Sequence, residues 1–261
     1  MKGLVRIGEL LTAGNRLERL RVLGEIRLNL ILWGGKLATA PDFAGFAEEM
    51  RKSEPELAQL LEPGGEAERA LEQVETGFRR AVAGLHLPYP TLHNADPSFA
   101  KLCYALARHG KPAVALETGV AYGISSAMVL QAMEANGFGK LLSVDLPPLA
   151  DSQGEFTGVA VPQRLWERWK LYRGSNRRLV PEVLREAGEV GLLVSDSANV
   201  FTLQRYEYNM VWPRLAPGGA ALFNNIGRPF WAWVKHRQNG AARTVRQVRK
   251  EVSYTGLIVK R

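Results

Sequence analysis

Three carboxylates close short apolar runs in the second half of the sequence: Glu117 in "AVALET", Asp145 in "KLLSVDL" and Asp196 in "VGLLVSDS". Two further runs end on Gly174-Ser175 and on Asn224-Asn225. Glu117 leads into the turn Gly119-Val120-Ala121-Tyr122-Gly123. That turn lacks the G-x-G-x-x-G of a dinucleotide fold, and a carboxylate just before it would repel a pyrophosphate. No lysine follows the glycines, so a phosphate-cradling P-loop is absent too. A glutamate here suits a ligand whose near end is an amino or sulfonium cation. Asp145, one strand later, can accept hydrogen bonds from ribose hydroxyls, a feature shared with nicotinamide cofactors. Glu117, the E-x-G-x-x-x-G turn and Asp145 together are more specific than any one of them.

Residues at the ends of apolar runs can meet only if the runs are neighbouring strands. After Lys111 the runs "AVALET", "KLLSVDL", "KLYRG", "VGLLVSDS" and "AALFNNI" alternate with helical stretches: "GISSAMVLQAMEANG", "PQRLWERWK", "NRRLVPEVLREAG" and "LQRYEYNMVWPRLAPGG". Nearly continuous apolar strands alternating with helices predict a parallel sheet covered on both faces, with ligands bound beyond the carboxyl ends of its strands. "RTVRQVRKE" and "YTGLIVKR" follow the helix "FWAWVKHRQNG" and predict a terminal antiparallel pair. The expected fold is therefore α/β: a Rossmann-like, doubly wound, seven-stranded, mainly parallel sheet with a reversed terminal hairpin. Residues 1–110 read as a helical N-terminal extension and 111–261 as the ligand-binding domain. In the extension, "LTAGNRLERLRVLGEIRLNLILWGG" places Leu17, Leu20 and Leu28 at helical spacing, "PDFAGFAEEMRKSEPELAQLLEPGG" holds one or two helices and "EAERALEQVETGFRRAVAGL" another. "HLPYPTLHNADPS" is a loop, and Ser98 is the expected N-cap of "PSFAKLCYALARHGK".

At 261 residues with 46% hydrophobic and 23% charged residues, the chain has an ordinary globular balance. Its one cysteine, Cys103, excludes an intrachain disulfide and reads as a core residue. No apolar run is long enough for a bilayer, and charges throughout "MKGLVRIGELLTAGNRLERL" exclude a signal-peptide apolar region, so a cytoplasmic protein with no membrane partner is expected. The net charge of +8 resides entirely in residues 228–261, where nine Lys and Arg face Glu251 alone. Such an edge can attract nucleic acid or a phosphorylated partner, or be merely solvated.

"ETGVAYG", "LLSVDLP" and "WPRLAPGGAALFNNI", with the terminal strand pair, resemble the class I S-adenosylmethionine-dependent methyltransferases over residues 111–261. Within the class, the sequence is most similar to small bacterial methyltransferases of the family-24 type, many of which are O-methyltransferases. The resemblance implies S-adenosyl-L-methionine as cofactor. It places Glu117, Gly119 and Gly123 around the methionine moiety, with Thr118 and Ala121 between them. Asp145 and Leu146 fall at the ribose, Ser175 at the adenine, and Asp196 and Ser197 at the end of strand four. Ser125 and Ser126 fall at a helix start whose N–H groups can bind the methionine carboxylate.

The sequence also departs from the family. Relatives carry a second aspartate and a histidine after strand four, where Ala198 and Asn199 stand here, and paired aspartates where this chain has Asn224-Asn225. In metal-dependent O-methyltransferases the corresponding positions bind magnesium. Asp196, Asn224 and Asn225 offer one carboxylate and two amides, a poor set for a hard cation, so no catalytic metal is expected. Methyl transfer to a hydroxyl requires in-line approach and loss of a proton. The candidate bases are Asp196, His93 and His236. Phe230, Trp231 and Trp233 could line an acceptor pocket or pack in the core. The leading expectation is O-methylation of a small molecule, with the N-terminal helices as lid and homodimer surface. The alternatives are an RNA methyltransferase using the basic edge, disfavoured because no N/D-P-P-Y/F motif or RNA-binding module is present, and a catalytically weakened cofactor-binding protein.

Overall fold

The computed structural model describes residues 17–18, 20–21, 24, 40–148, 151, 154–198, 200–237, 242–249 and 253–261. Most of the expected helix over 11–35 lies outside these residues; Leu17 and Leu20 are exposed. Helices α1 (Phe43–Ser53), α2 (Pro55–Leu61), α3 (Glu66–Ala81) and α4 (Pro97–Gly110) come first. They are followed by β1 (Val114–Thr118), α5 (Ile124–Asn136), β2 (Lys140–Asp145), β3 (Trp169–Arg173), α6 (Asn176–Ala187), β4 (Val190–Ser195), α7 (Phe201–Val211), β5 (Leu215–Phe223), α8 (Arg228–Arg237), β6 (Ala242–Arg246) and β7 (Tyr254–Val259). The seven strands run in the order β3-β2-β1-β4-β5-β7-β6. Strands β1 to β5 pair in parallel, while β7 is antiparallel to both β5 and β6. This is the doubly wound sheet with a reversed hairpin that the run pattern predicts.

Alternate residues of each strand feed two separate cores. Ala115, Leu141, Leu192 and Leu222 join α1–α5 on one face. Leu116, Leu142, Leu193 and Phe223 join α6–α8 on the other. The N-terminal helices are thus one of the two layers that make a parallel sheet stable, and one continuous core crosses residue 110. Phe46 and Met50 of α1 and Leu57 of α2 are fully or almost fully buried in it.

Two local expectations are corrected. "PQRLWERWK" is not an α-helix: Gln163–Arg168 forms a short 3-10 turn and Trp169 already begins β3. Pro162 and the strand leave too few residues for two α-turns, and only Leu165 of the turn is buried. The N-cap of α4 is Asp96 rather than Ser98. Pro97 fits the first helical position because it has no N–H to satisfy there, and the Asp96 carboxylate accepts from the Ser98 N–H at 3.0 Å.

The basic terminal edge also serves the fold. The Arg243 guanidinium reaches Glu54 of the α1–α2 junction at 3.5 Å, and that of Arg249 reaches Glu75 of α3 at 2.6 Å. Asp96 accepts from the backbone N–H groups of Val248 and Arg249. Part of the charge read as a binding edge therefore ties the hairpin to the N-terminal helices.

Candidate active site

Parallel register brings the ends of β1, β2 and β4 side by side: Thr118 lies opposite both Val144 and Ser195. The chain leaves β1 through Gly119, which has φ +82°, and re-enters a helix after Gly123, at φ +88°. A Cβ on Gly119 would lie 2.3 Å from the Asp196 carbonyl oxygen, so the turn needs glycine for space as well as for conformation. Ala121 also takes a left-handed conformation, φ +49°. Its carbonyl accepts from Gly158 N–H at 2.9 Å, and the Tyr122 carbonyl accepts from Ala160 N–H at 2.8 Å. The segment after β2 is thereby folded over the glycine turn, Gly158 lying so close that a Cβ on Gly123 would meet its Cα at 2.7 Å.

Asp145 closes β2 beneath this turn. Its Oδ1 accepts from Val120 N–H at 2.9 Å, while its Oδ2 is buried and has no partner among the described residues. Burial raises the Asp145 carboxyl above its ordinary range, against the lowering effect of the Val120 and Ala121 N–H groups. The Gly174 N–H donates to the Asp145 carbonyl at 2.8 Å, which sets Ser175, the N-cap residue of α6, beside it. Leu146 is half-buried at the same strand end.

Glu117 is placed one layer deeper than a ligand-contacting residue. It is fully buried, and its carboxylate accepts from Ser125 Oγ at 2.7 Å, Ser126 Oγ at 2.6 Å and Ser143 Oγ at 2.7 Å. The two serines read as anion-binding residues turn their hydroxyls inward to this carboxylate. As the second and third residues of α5, they keep N–H groups that have no intrahelical acceptor. Burial pushes the Glu117 carboxyl from an ordinary 4.5 up to about 7, despite its three hydroxyl donors. At low pH the group is protonated in both folded and unfolded chains. As pH rises from 4.5 to about 7, the unfolded chain releases the proton first, so folding loses stability. The loss should approach about 3 kcal/mol above neutrality. Urea unfolding at pH 5 and pH 8 should show this decline in the native chain and a smaller one in Glu117→Gln; equal declines would contradict the assignment.

On the other side of β4, the fully buried Glu207 of α7 accepts from Ser195 Oγ at 2.6 Å, Ser197 Oγ at 2.8 Å and Asn176 Nδ2 at 2.7 Å. Ser197 is thus anchored by its hydroxyl to α7. The only sequence signal of Glu207 is a charged residue four positions after the buried Leu203, on the inward face of a helix. Tyr122, Gln247 and the segment around Gly158, whose start is held by Asp151 accepting from the Glu155 and Phe156 N–H groups, lie outside the strand-end pattern. A large aromatic inside a glycine turn and the paired Gly154 and Gly158 were the available signs.

Asp196 follows β4 and is joined to the end of β5: Asn224 Nδ2 donates to Asp196 Oδ1 at 2.6 Å. Asn224 Oδ1 accepts from Asn225 N–H at 3.0 Å and from Gln247 Nε2. A backbone N–H can only donate, so the atom beside Asn225 N must be the amide oxygen, and the NH2 group must face Asp196. A cation has no place between an NH2 and the carboxylate it donates to. The donor set thus does not fit a divalent metal, and among the described residues no group of three or more His, Cys, Asp or Glu could hold one. Asn199 lies outside the described residues. His93 is exposed in a 3-10 turn (Thr91–His93), edge-on to Tyr89 at 5.8 Å between ring centroids. His236 is exposed in the last turn of α8. Phe230 and Trp231 are fully buried in the second core; Trp233 is half-buried, with the guanidinium groups of Arg205 and Arg237 against its ring.

Residues 116–226 match the family described as a methyltransferase domain, family 24. Among solved structures, the O-methyltransferase from Bacillus cereus in complex with SAH is similar at 15% identity and TM-score 0.51, over 74% of this chain and 91% of that one. A candidate O-methyltransferase from Klebsiella pneumoniae is similar at 16% identity and TM-score 0.52, over 83% of this chain and 100% of that one. No curated protein matches by sequence. At such identities the structural likeness is one of fold. Residues 116–226 are thus similar to the family-24 methyltransferase domains, and the sheet that carries them has the order β3-β2-β1-β4-β5-β7-β6.

Proposed function

We propose that the protein is an S-adenosylmethionine-dependent methyltransferase that methylates an oxygen of a small molecule without a divalent metal. The observation that carries this reading is Asp145: a buried carboxylate with one oxygen fixed by the glycine turn and the other lacking a partner. Buried polar atoms are nearly always hydrogen-bonded, so Oδ2, without a donor among the described residues, suits a ligand donor such as a ribose hydroxyl. Gly119 lets the turn after β1 pack directly against the Asp196 backbone, with Asp145 and Asp196 at the strand ends on either side. S-Adenosylmethionine, when bound, supplies an electrophilic methyl group and leaves as a neutral thioether. Asp145 would hold its ribose and the N–H groups at the start of α5 would bind its carboxylate, with Glu117 fixing Ser125 and Ser126 from behind. Asp196, held by the Asn224 amide at the neighbouring strand end, takes the proton of the acceptor hydroxyl.

Transfer of a labelled methyl group to a panel of small hydroxylated acceptors tests this reading. Rates should agree within about twofold in EDTA and in magnesium, because Asn224 turns an NH2 group toward Asp196 and has no lone pair there for a cation. Activity lost in EDTA and restored by magnesium would overturn the metal-free part. Transfer to RNA alone would favour the RNA reading, against which the ion pairs of Arg243 and Arg249 weigh. Bound cofactor with no transfer to any acceptor would favour the catalytically weakened alternative.

A further inference from the structure

Tyr89 reaches the site from the loop before α4, outside the strand-end pattern. Its ring stacks on Tyr122 with centroids 4.2 Å apart and planes at 12°. Tyr122 Oη donates to the Tyr89 carbonyl at 2.6 Å and accepts from the Tyr89 N–H at 3.3 Å. Tyr122 belongs to the glycine turn, is fully buried and packs against Phe78 of α3 at 5.3 Å. The Tyr89 backbone is therefore fixed to the same turn whose Val120 N–H holds Asp145. The far end of its side chain is not: among the described residues Tyr89 Oη, like Asp145 Oδ2, is buried and has no partner. Because the Tyr122 hydroxyl binds the Tyr89 backbone while the two rings stack, the Tyr89 ring runs back along Tyr122 and carries its own hydroxyl toward the turn that holds Asp145. Tyr89 stays a neutral O–H, able to donate and accept, whereas an ionised Asp145 can only accept. A ligand hydroxyl that reached both would satisfy the two together.

We propose that Tyr89 is a ribose-binding residue supplied by the N-terminal part of the chain, its hydroxyl donating to a ribose oxygen whose own proton goes to Asp145. This inference rests on the cofactor reading above. It makes cofactor binding and the seating of the loop over residues 86–96 two sides of one equilibrium: each stabilises the other by the same factor.

The test is calorimetric titration of the full chain and of Tyr89→Phe with S-adenosylhomocysteine and with its 2′-deoxy and 3′-deoxy analogues. The Phe variant keeps the ring stack and both backbone bonds, so it loses only the hydroxyl. Its affinity for S-adenosylhomocysteine should fall about three- to tenfold. The loss caused by removing one of the two ribose hydroxyls should be smaller in Tyr89→Phe than in the native chain, because the two deletions remove one shared interaction. Proteolysis of the loop in the native chain should also slow when S-adenosylhomocysteine is added. Unchanged affinity in Tyr89→Phe, or strictly additive losses with both analogues, would overturn the proposal while leaving the cofactor reading standing. No binding by the native chain would overturn both.

Discussion

Gly119→Ala should reduce binding of S-adenosylhomocysteine by at least about 100-fold and lower stability by about 2–4 kcal/mol. The backbone at Gly119 is left-handed, φ +82°, which charges any L side chain about 1–2 kcal/mol. Its new methyl would also stand 2.3 Å from the Asp196 carbonyl oxygen, well inside contact distance. Backbone must therefore move, and the two pieces that separate are the turn holding Asp145 and the loop carrying Asp196. Gly137→Ala is the control. Gly137 has φ +67° at the end of α5, but a Cβ there would meet nothing within 4 Å. It should lose only about 1–2 kcal/mol of stability and bind normally. Equal binding by the two variants would show that the turn does not contact the ligand.

Removal of residues 1–85 should leave an insoluble or largely unfolded remainder. The deletion takes away α1, α2 and α3, with Phe46, Met50, Leu57, Leu61, Val74 and Phe78, all buried. Each contributes roughly 1.5–3 kcal/mol by burial, and together they rival the whole net stability of about 5–15 kcal/mol usual for a folded protein. The deletion also uncovers the faces of α4 and α5 that these helices pack against. A monomeric truncation with sharp thermal unfolding and native cofactor affinity would contradict the two-layer account.

The parallel sheet was legible because a doubly covered strand must be apolar on both sides, so β1, β2, β4 and β5 stand out as continuous runs. Their ends could then be read as the site, which is how Asp145 and Asp196 were reached. Depth was not legible. Glu117 and Asp145 end adjacent strands, but what gives one three hydroxyl donors and leaves the other an unpartnered oxygen is Ser125 and Ser126 of α5 and Ser143 of β2 meeting at the end of β1. The role of the N-terminal helices was half legible. Their amphipathic spacing implied burial, whereas their use as one layer of the sheet depends on contacts far apart in sequence. Tyr89 was hidden for the same reason: it lies in a loop without period, and its partner Tyr122 is 33 positions away. In "PQRLWERWK" the apolar spacing was helical, but Pro162 and the start of β3 left it only a 3-10 turn.

Asp145 and the glycine turn between β1 and α5 should recognise the ribose of S-adenosylmethionine. Calorimetric titration of the unaltered chain with S-adenosylhomocysteine, run beside NAD, tests it most directly. Saturable one-site binding in the micromolar range for S-adenosylhomocysteine, with NAD much weaker, is the predicted result. Preferential binding of NAD, or no binding of S-adenosylhomocysteine, would contradict it.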